Sequence, residues 1–322
     1  MKHRFQLLLT TLGLGIATVQ ACADSWPTKP LRAVVPIGAG SVIDVVPRVV
    51  FEQLSNQLGQ SIVVENRPGA GQTVGASIVA KANADGYTLL VNSSAHAIAP
   101  SLHSNLPYQP ARDFAAVAPL GVTPFVLVVQ PAKGYKTARD LVAAANAKPG
   151  AFNFSSPGVG SASHLSAERF RLSARVQAVH VPFKGGVEAM TEVIAGRIDF
   201  FFVGLAAALP HIENGKLSAL AVNSATRSSA LPQVQTIRQA GFNDAEYPMW
   251  LGIFLPARAP REIVDKLHRE TLKALQEPKV KDKLTALGVD PMVMSSRAFD
   301  ALVEKEVVIN STLVKAIGLK PE

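Results

Sequence analysis

The sequence predicts an α/β protein of two lobes, each a mainly parallel sheet flanked by helices. Three observations carry that expectation. Short apolar runs alternate with helical stretches. Corners rich in Gly, Pro and Ser separate them. The strand–corner–helix unit recurs in the second half of the chain. A chain of 322 residues, 48% hydrophobic and 17% charged, has enough apolar surface for one large or two medium cores.

In chain order, Met1–Phe5 carries Lys2 and Arg4, Leu7–Val19 is apolar, and Ala21-Cys22-Ala23 fits a small-x-small cleavage site. Residues 1–23 therefore read as a signal peptide, too short to be an ordinary membrane span, and the protein as exported and soluble. Cys22, the single cysteine, has two readings. It is either incidental to the cleavage site or, in Val19-Gln20-Ala21-Cys22, part of a sequence resembling a bacterial lipobox. Gln20 is awkward in a lipobox, so cleavage after Ala23 is preferred. In either case no disulfide remains, and stability rests on the core.

The run Leu31–Ile37 reads as a buried strand. It breaks at Gly38-Ala39-Gly40-Ser41, and a helical pattern extends to about Leu58. Pro47 is tolerated only near a first turn, which places the helix start near Ile43 or Asp44. Gly38 and Gly40 let a ligand approach the backbone, and first-turn N–H groups with the helix dipole favour an anion. A strand at Ser61–Val64, a helix from Thr73 to Ala82 and a strand at Tyr87–Val91 follow, the last ending at Asn92-Ser93-Ser94-Ala95-His96. Phe125–Val129 reads as a strand that leaves the first lobe.

The second lobe repeats this logic. Phe152–Ser156 runs into Pro157-Gly158-Val159-Gly160-Ser161-Ala162-Ser163, which opens onto a helix from His164. Val179–Pro182 ends at Phe183-Lys184-Gly185-Gly186 before another helix, Ile198–Val203 is a very apolar strand, and Leu217–Val222 returns the chain towards the first lobe. A strand at Trp250–Leu255 and helices opened by Pro260, Pro278 and Ser296 complete the pattern. The resulting organisation is residues 24–124 and 224–322 as the first lobe, and 125–223 as the second.

Several function classes lose ground on residue chemistry. The formal charge of +8, or +6 without Lys2 and Arg4, is spread along the chain, so no nucleic-acid partner is expected. Gly69-Ala70-Gly71-Gln72-Thr73-Val74-Gly75 departs from G-x-G-x-x-G and follows the second strand of its lobe, which fits a tight turn packing on the neighbouring lobe better than a nucleotide fold. The seven histidines show no paired metal spacing, so neither a metal nor a cofactor is expected. Gly158-Val159-Gly160-Ser161 is not a G-x-S-x-G elbow. Ser161 and His164 nevertheless keep a hydrolase open as the alternative reading, since they lie three residues apart. His96 and His164 are candidates for ligand contact or for structural hydrogen bonding. Lys184 beside Gly185 and Gly186 suits a carboxylate, or is simply solvated.

With these corners in place, the chain resembles the periplasmic solute-binding receptors of the tripartite tricarboxylate transporters, the Bug receptor family. WPTKPLRAVVPIGAGSVID, LGQSIVVENRPGAGQTVGA, DGYTLLVNSSAHAIAPSLHSNLPYQPARDFAAVAPL, NFSSPGVGSASHLSAE, VHVPFKGGVEA, GRIDF, ALPHIENGKLSALAV and LPARAPREIVDKL occur in order at family spacing. The resemblance implies a two-lobed Venus-flytrap fold without catalysis. It further implies a monomer in the periplasm that closes on a small di-, tri- or aromatic carboxylate and passes it to membrane permease subunits. It places ligand contacts at Gly38, Ala39, Gly40, Ser41, Ser93, Ser94 and His96 of one lobe, and at Ser155, Ser156, Gly160, Ser161, Ser163, Lys184 and Gly185 of the other. A liganded form that docks on a membrane sensor kinase is a further reading. Two departures stand out. Ser41 replaces a usual Gly, and Val203 replaces an acidic residue that can meet a ligand amino group, which favours an amine-free acid.

Overall fold

The protein is described by a computed structural model covering residues 26–247 and 249–321. The proposed signal peptide and Cys22 lie outside the described residues. The first sheet begins with β1 (Leu31–Val35), α1 (Val42–Leu58), β2 (Ile62–Asn66), α2 (Thr73–Ala80), β3 (Thr88–Ser93), α3 (Ala95–Leu102), α4 (Pro110–Asp113) and β4 (Phe114–Thr123). The chain then enters a second sheet through β5 (Phe125–Val129), α5 (Ala138–Ala147), β6 (Phe152–Ser156) and α6 (Ala162–Ser173). That sheet continues with β7 (Ala178–Pro182), α7 (Gly186–Ile194), β8 (Phe200–Gly204), α8 (Leu205–Glu213) and β9 (Ser218–Asn223). The last stretch is β10 (Met249–Pro256), α9 (Arg261–Gln276), α10 (Pro278–Ala286) and α11 (Ser296–Ala316).

The sheet orders are β2-β1-β3-β10-β4 and β7-β6-β8-β5-β9. In each sheet three strands pair in parallel, and one antiparallel strand comes from the far side of a crossover. β5 follows β4 after Pro124 alone, whereas β10 is reached only after the whole second sheet is complete. Alternation along the strands fills both faces. Leu31, Ala33 and Val35 pack with α1, α9 and α10, while Val34 joins Trp250, Phe254 and Phe299 on the opposite face. In the second sheet Phe125, Leu127 and Val129 face one core, and Val126 and Val128 the other. Each buried Val, Leu or Phe among them contributes about 1.5–3 kcal/mol relative to exposure.

Some elements differ from expectation for local reasons. α1 starts at Val42, with Ser41 at its N-cap in extended geometry (φ −76°, ψ 161°), so Pro47 sits one turn inside the helix. The N-cap of the last helix is Ser295, whose hydroxyl accepts the Ala298 N–H, rather than Ser296. β9 forms an edge of the second sheet, paired with β5, within the stretch assigned to the second lobe. The segment after it follows suit: Ile237, Ala240 and Ala245 pack into one core of the second sheet, and Leu231 and Val234 into the other. These residues carry no strand or helix periodicity, which left them with the first lobe in the sequence reading.

A fifth apolar cluster ties the two halves together. Ile98 of α3, Leu165 of α6, Tyr247 of the β9–β10 crossover, and Leu313 and Val314 of α11 form it, with Leu102, Ala162, Ile317 and Leu319 packed around them.

Candidate functional site

The corner between β6 and α6 is built from small residues held by neutral groups. Gly160 takes a left-handed conformation (φ +76°). Ser161 caps α6, its hydroxyl donating to Gly158 O (2.8 Å) and accepting the His164 N–H (3.2 Å). The Gly160 N–H donates to His164 Nδ1 at 3.1 Å. Nδ1 must therefore be unprotonated. Burial, with His180 and Arg171 nearby, lowers the His164 pKa to about 4. Its ring stacks on His180 with centroids 3.9 Å apart, and His180 Nε2 lies 2.7 Å from Ser156 Oγ. Ser156 also donates to Gly158 O at 2.9 Å. The N–H groups of Ala162 and Ser163, in the first turn of α6, have no intrahelical acceptor by position.

The corner between β1 and α1 has the same backbone plan with a charged lock. Gly40 is left-handed (φ +88°), and its N–H donates to Asp44 Oδ2 at 2.9 Å. Asp44 Oδ1 accepts from Arg48 Nε (3.0 Å) and from Asn66 Nδ2 (2.9 Å), and Asn66 Nδ2 also donates to Ile37 O. Burial alone would raise the Asp44 pKa. The hydrogen bonds from Arg48, Gly40 and Asn66 outweigh it and hold the carboxyl below its usual range. The anion expected at this corner is thus present already, as the protein's own Asp44.

Between the sheets lies a cavity of about 570 Å³. Ile43, Ser93, Ala95, Ile98, Ala99 and Leu102 line it from one side, and Pro157–Ala162 from the other. Gly71, Gln72, His103, Met249, Leu319 and Lys320 complete the wall. The two sides nearly touch: a Cβ on Gly160 would lie 3.2 Å from Leu102 Cδ1. The lining is mostly apolar, with a few convergent hydroxyl and amide groups, which is the usual make-up of a small-molecule site.

Of the residues singled out from the sequence, Ser93, Gly160 and Ser161 line this cavity. Gly38, Ala39 and Gly40 are exposed and Ser41 half-buried, at a corner beside Ile43 rather than in the lining. Lys184 and Gly185 stand at the start of α7, the Lys184 N–H donating to Glu188 Oε2 at 3.3 Å. Ser155 and Ser156 are fully buried in β6, and Ser163 donates to Phe202 O. Ser94 is buried behind Ser93, its N–H donating to Trp250 O.

His96 points into the core. Its ring lies edge-on to Phe114 (4.8 Å) and parallel to Tyr108 (5.8 Å), and burial lowers its pKa to about 3. Val203 is also a core residue, packed with Val126 and Phe201, so its position does not face the cavity. The glycine-rich turn at Gly69–Gly75 packs on its own lobe at Gly75, where a Cβ would meet Pro36 Cβ at 2.8 Å, and presents Gly71 and Gln72 to the cavity. Ser161 and His164 form no nucleophile–base pair. The hydroxyl is a helix cap, and the imidazole is turned to Gly160 and His180.

Sequence reasoning missed Ile98, Leu102, His103, Met249 and the tail residues Leu319 and Lys320. Only Gly318, directly after a helical pattern, signals where that tail turns.

Two mixed sheets flanked by helices, joined by two crossovers and enclosing a cleft, define a two-lobed periplasmic-binding-protein fold, as in solved proteins of that class. The model of the tripartite tricarboxylate transporter family receptor matches residues 46–319, and the chain belongs to that family. Protein BugT of Bordetella pertussis is 32% identical over 319 residues, 97% of this chain and 98% of its own length. The structure of R. palustris Rpa4515 with adipate is similar at 30% identity and a TM-score of 0.76, covering 92% of this chain and 100% of that one. MatC of Rhodopseudomonas palustris with bound malate follows at 30% identity and 0.72, covering 90% and 100%.

Proposed function

We propose that this protein is a periplasmic receptor that closes its lobes, residues 26–123 with 249–321 and residues 125–247, on a small organic carboxylate. It acts as a monomer, performs no chemistry and delivers the ligand to the permease of a tripartite tricarboxylate transporter. The observation that carries the reading is the pairing of the neutral Gly160–Ser161 corner with an apolar cavity between the two sheets. First-turn amides and the helix dipole of α6 receive a carboxylate there without competing against a resident anion. Ser93 meets the ligand from the opposite side. Gly38–Ser41 and Lys184–Gly185 approach it when the lobes close. Adipate and malate in two relatives supply the ligand class.

Closure follows from differential contact, because only the closed arrangement lets one ligand touch both walls. A thermal-shift screen against small acids and their matched neutral amides tests the reading. Ligand at a hundred times its Kd stabilises by about 2.7 kcal/mol. A shift with an acid and none with its amide is expected; equal shifts, or turnover of a substrate lost in Ser161→Ala, would overturn it.

A further inference from the structure

We infer that Gln72 accepts a hydrogen bond from a hydroxyl on the ligand, and that the receptor therefore prefers a hydroxy acid to the same acid without its hydroxyl. The inference deepens the proposed carboxylate site and rests on it.

Gln72 stands in a backbone conformation that suits glycine better than glutamine. It takes φ +77°, in the left-handed region where a residue with a Cβ is strained. Gly69 (φ +138°) and Gly71 (φ +61°) bring the chain into that turn, and the Gln72 N–H donates to Gly69 O at 3.0 Å. The turn is seated against the end of α3. A Cβ on Gly71 would lie 2.8 Å from Nε2 of His103, the C-cap residue there. Gln72 is itself the N-cap of α2, yet its side chain makes no capping bond. Helix capping therefore does not account for an amide at this strained position. A residue kept in strain beside a cavity points to a use for its side chain.

The cavity supplies that use. Gln72 lines it together with Gly71 and His103. Its Oε1 is buried and has no donor, and among the described residues it is the one cavity-lining side chain with a buried polar atom in that condition. The hydroxyls that share the lining are already engaged. Ser93 Oγ accepts the Ala95 N–H at 3.3 Å, and Ser161 donates to Gly158 O and accepts the His164 N–H. Among the described residues lining the cavity there is no Asp or Glu, so an ammonium would enter without a countercharge, whereas a hydroxyl is a neutral donor. A hydroxyl also suits either orientation of the Gln72 amide, since it accepts as well as donates. Closure of the lobes withdraws water from the amide oxygen, and a ligand lacking the donor then leaves it unpaired.

Isothermal titration calorimetry of the purified protein with matched acids tests this. The pairs are butanoate with 2-, 3- or 4-hydroxybutanoate, succinate with malate, adipate with 3-hydroxyadipate, and 3-phenylpropanoate with 3-phenyllactate. One hydroxy acid is expected to bind about tenfold more tightly than its parent. Gln72→Gly removes the amide and the strain together, so the melting temperature should stay at or above that of the wild type while the tenfold ratio falls to near one. Gln72→Asn, which tolerates the left-handed backbone but shortens the reach by one methylene, should leave an intermediate ratio. A ratio that persists in Gln72→Gly overturns the role of Gln72 and leaves the carboxylate site standing. So does a wild type that binds every parent acid as tightly as its hydroxy acid. Binding of neither member of any pair by the wild type overturns both.

Discussion

The two lobes present the same local device with opposite electrical character. In Gly40-Ser41-Val42-Ile43-Asp44 and in Gly160-Ser161-Ala162-Ser163-His164, a left-handed glycine precedes a serine N-cap. Three residues after that serine, a side chain turns back to accept the glycine N–H. In the first lobe the acceptor is a carboxylate, neutralised by Arg48 and Asn66. In the second it is a neutral imidazole backed by His180. A helix N-terminus is therefore not by itself a vacant anion site. Whether it receives a ligand depends on the charge of the group that already locks its loop.

The largest expected effect comes from making the corners alike. His164→Asp would place a resident carboxylate at the second corner, and carboxylate affinity should fall about a hundredfold, close to 3 kcal/mol, in a calorimetric titration. An unchanged Kd would show that the ligand's anion sits elsewhere. The complementary change, Asp44→Ala, leaves the Gly40 N–H and Asn66 without their shared acceptor and should cost about 2 kcal/mol in urea unfolding, with only a secondary effect on binding.

Acid separates the locks further. The His164 pKa is lowered to about 4 in the folded protein, so below its ordinary value the unfolded chain binds more protons than the native one. Stability should fall as pH drops from about 6.5 towards 4, and His164→Asn should remove part of that slope, with the buried His96 keeping the rest. Asp44 has a folded pKa below its ordinary value, so its contribution persists through this window and fades only as pH falls below about 4. The smallest effect distinguishes the caps. Ser161→Ala should cost about 1 kcal/mol. Ser41→Ala should cost less, since the Ser41 hydroxyl makes no cap bond and donates only a long 3.4 Å bond to Gly38 O.

Much of the architecture was legible because strands such as Leu31–Val35 and Phe125–Val129 are pure apolar runs ending at Gly, Pro or Ser corners. β4 was harder to read. Its sequence FAAVAPLGVT holds Ala, Gly and Pro without alternation, and its pairing with β10 absorbs two register shifts. α3 and α8 each carry an internal proline, Pro100 and Pro210, which weakens the helical signal.

The Gly160–Ser161 corner that lines the cavity was legible as a corner, but side-chain direction was not. His96 and His164 look alike on paper. One is turned into an aromatic core by Phe114 and Phe254, the other onto a glycine amide. Lys320 lies 160 residues from Gly160, and no local pattern brings the two to one cavity.

The strand exchange between the sheets also bears on the order in which the protein becomes itself. Residues 125–247 hold every strand of the second sheet and the segment that packs over it, so that lobe is contiguous once synthesised. The first sheet has a gap between β3 and β4 until β10 arrives, some 125 residues after β4 ends. The half made first is consequently completed last, through contacts of long sequence separation that form slowly and leave strand edges unpaired meanwhile. During synthesis, the earlier half must wait for the later one.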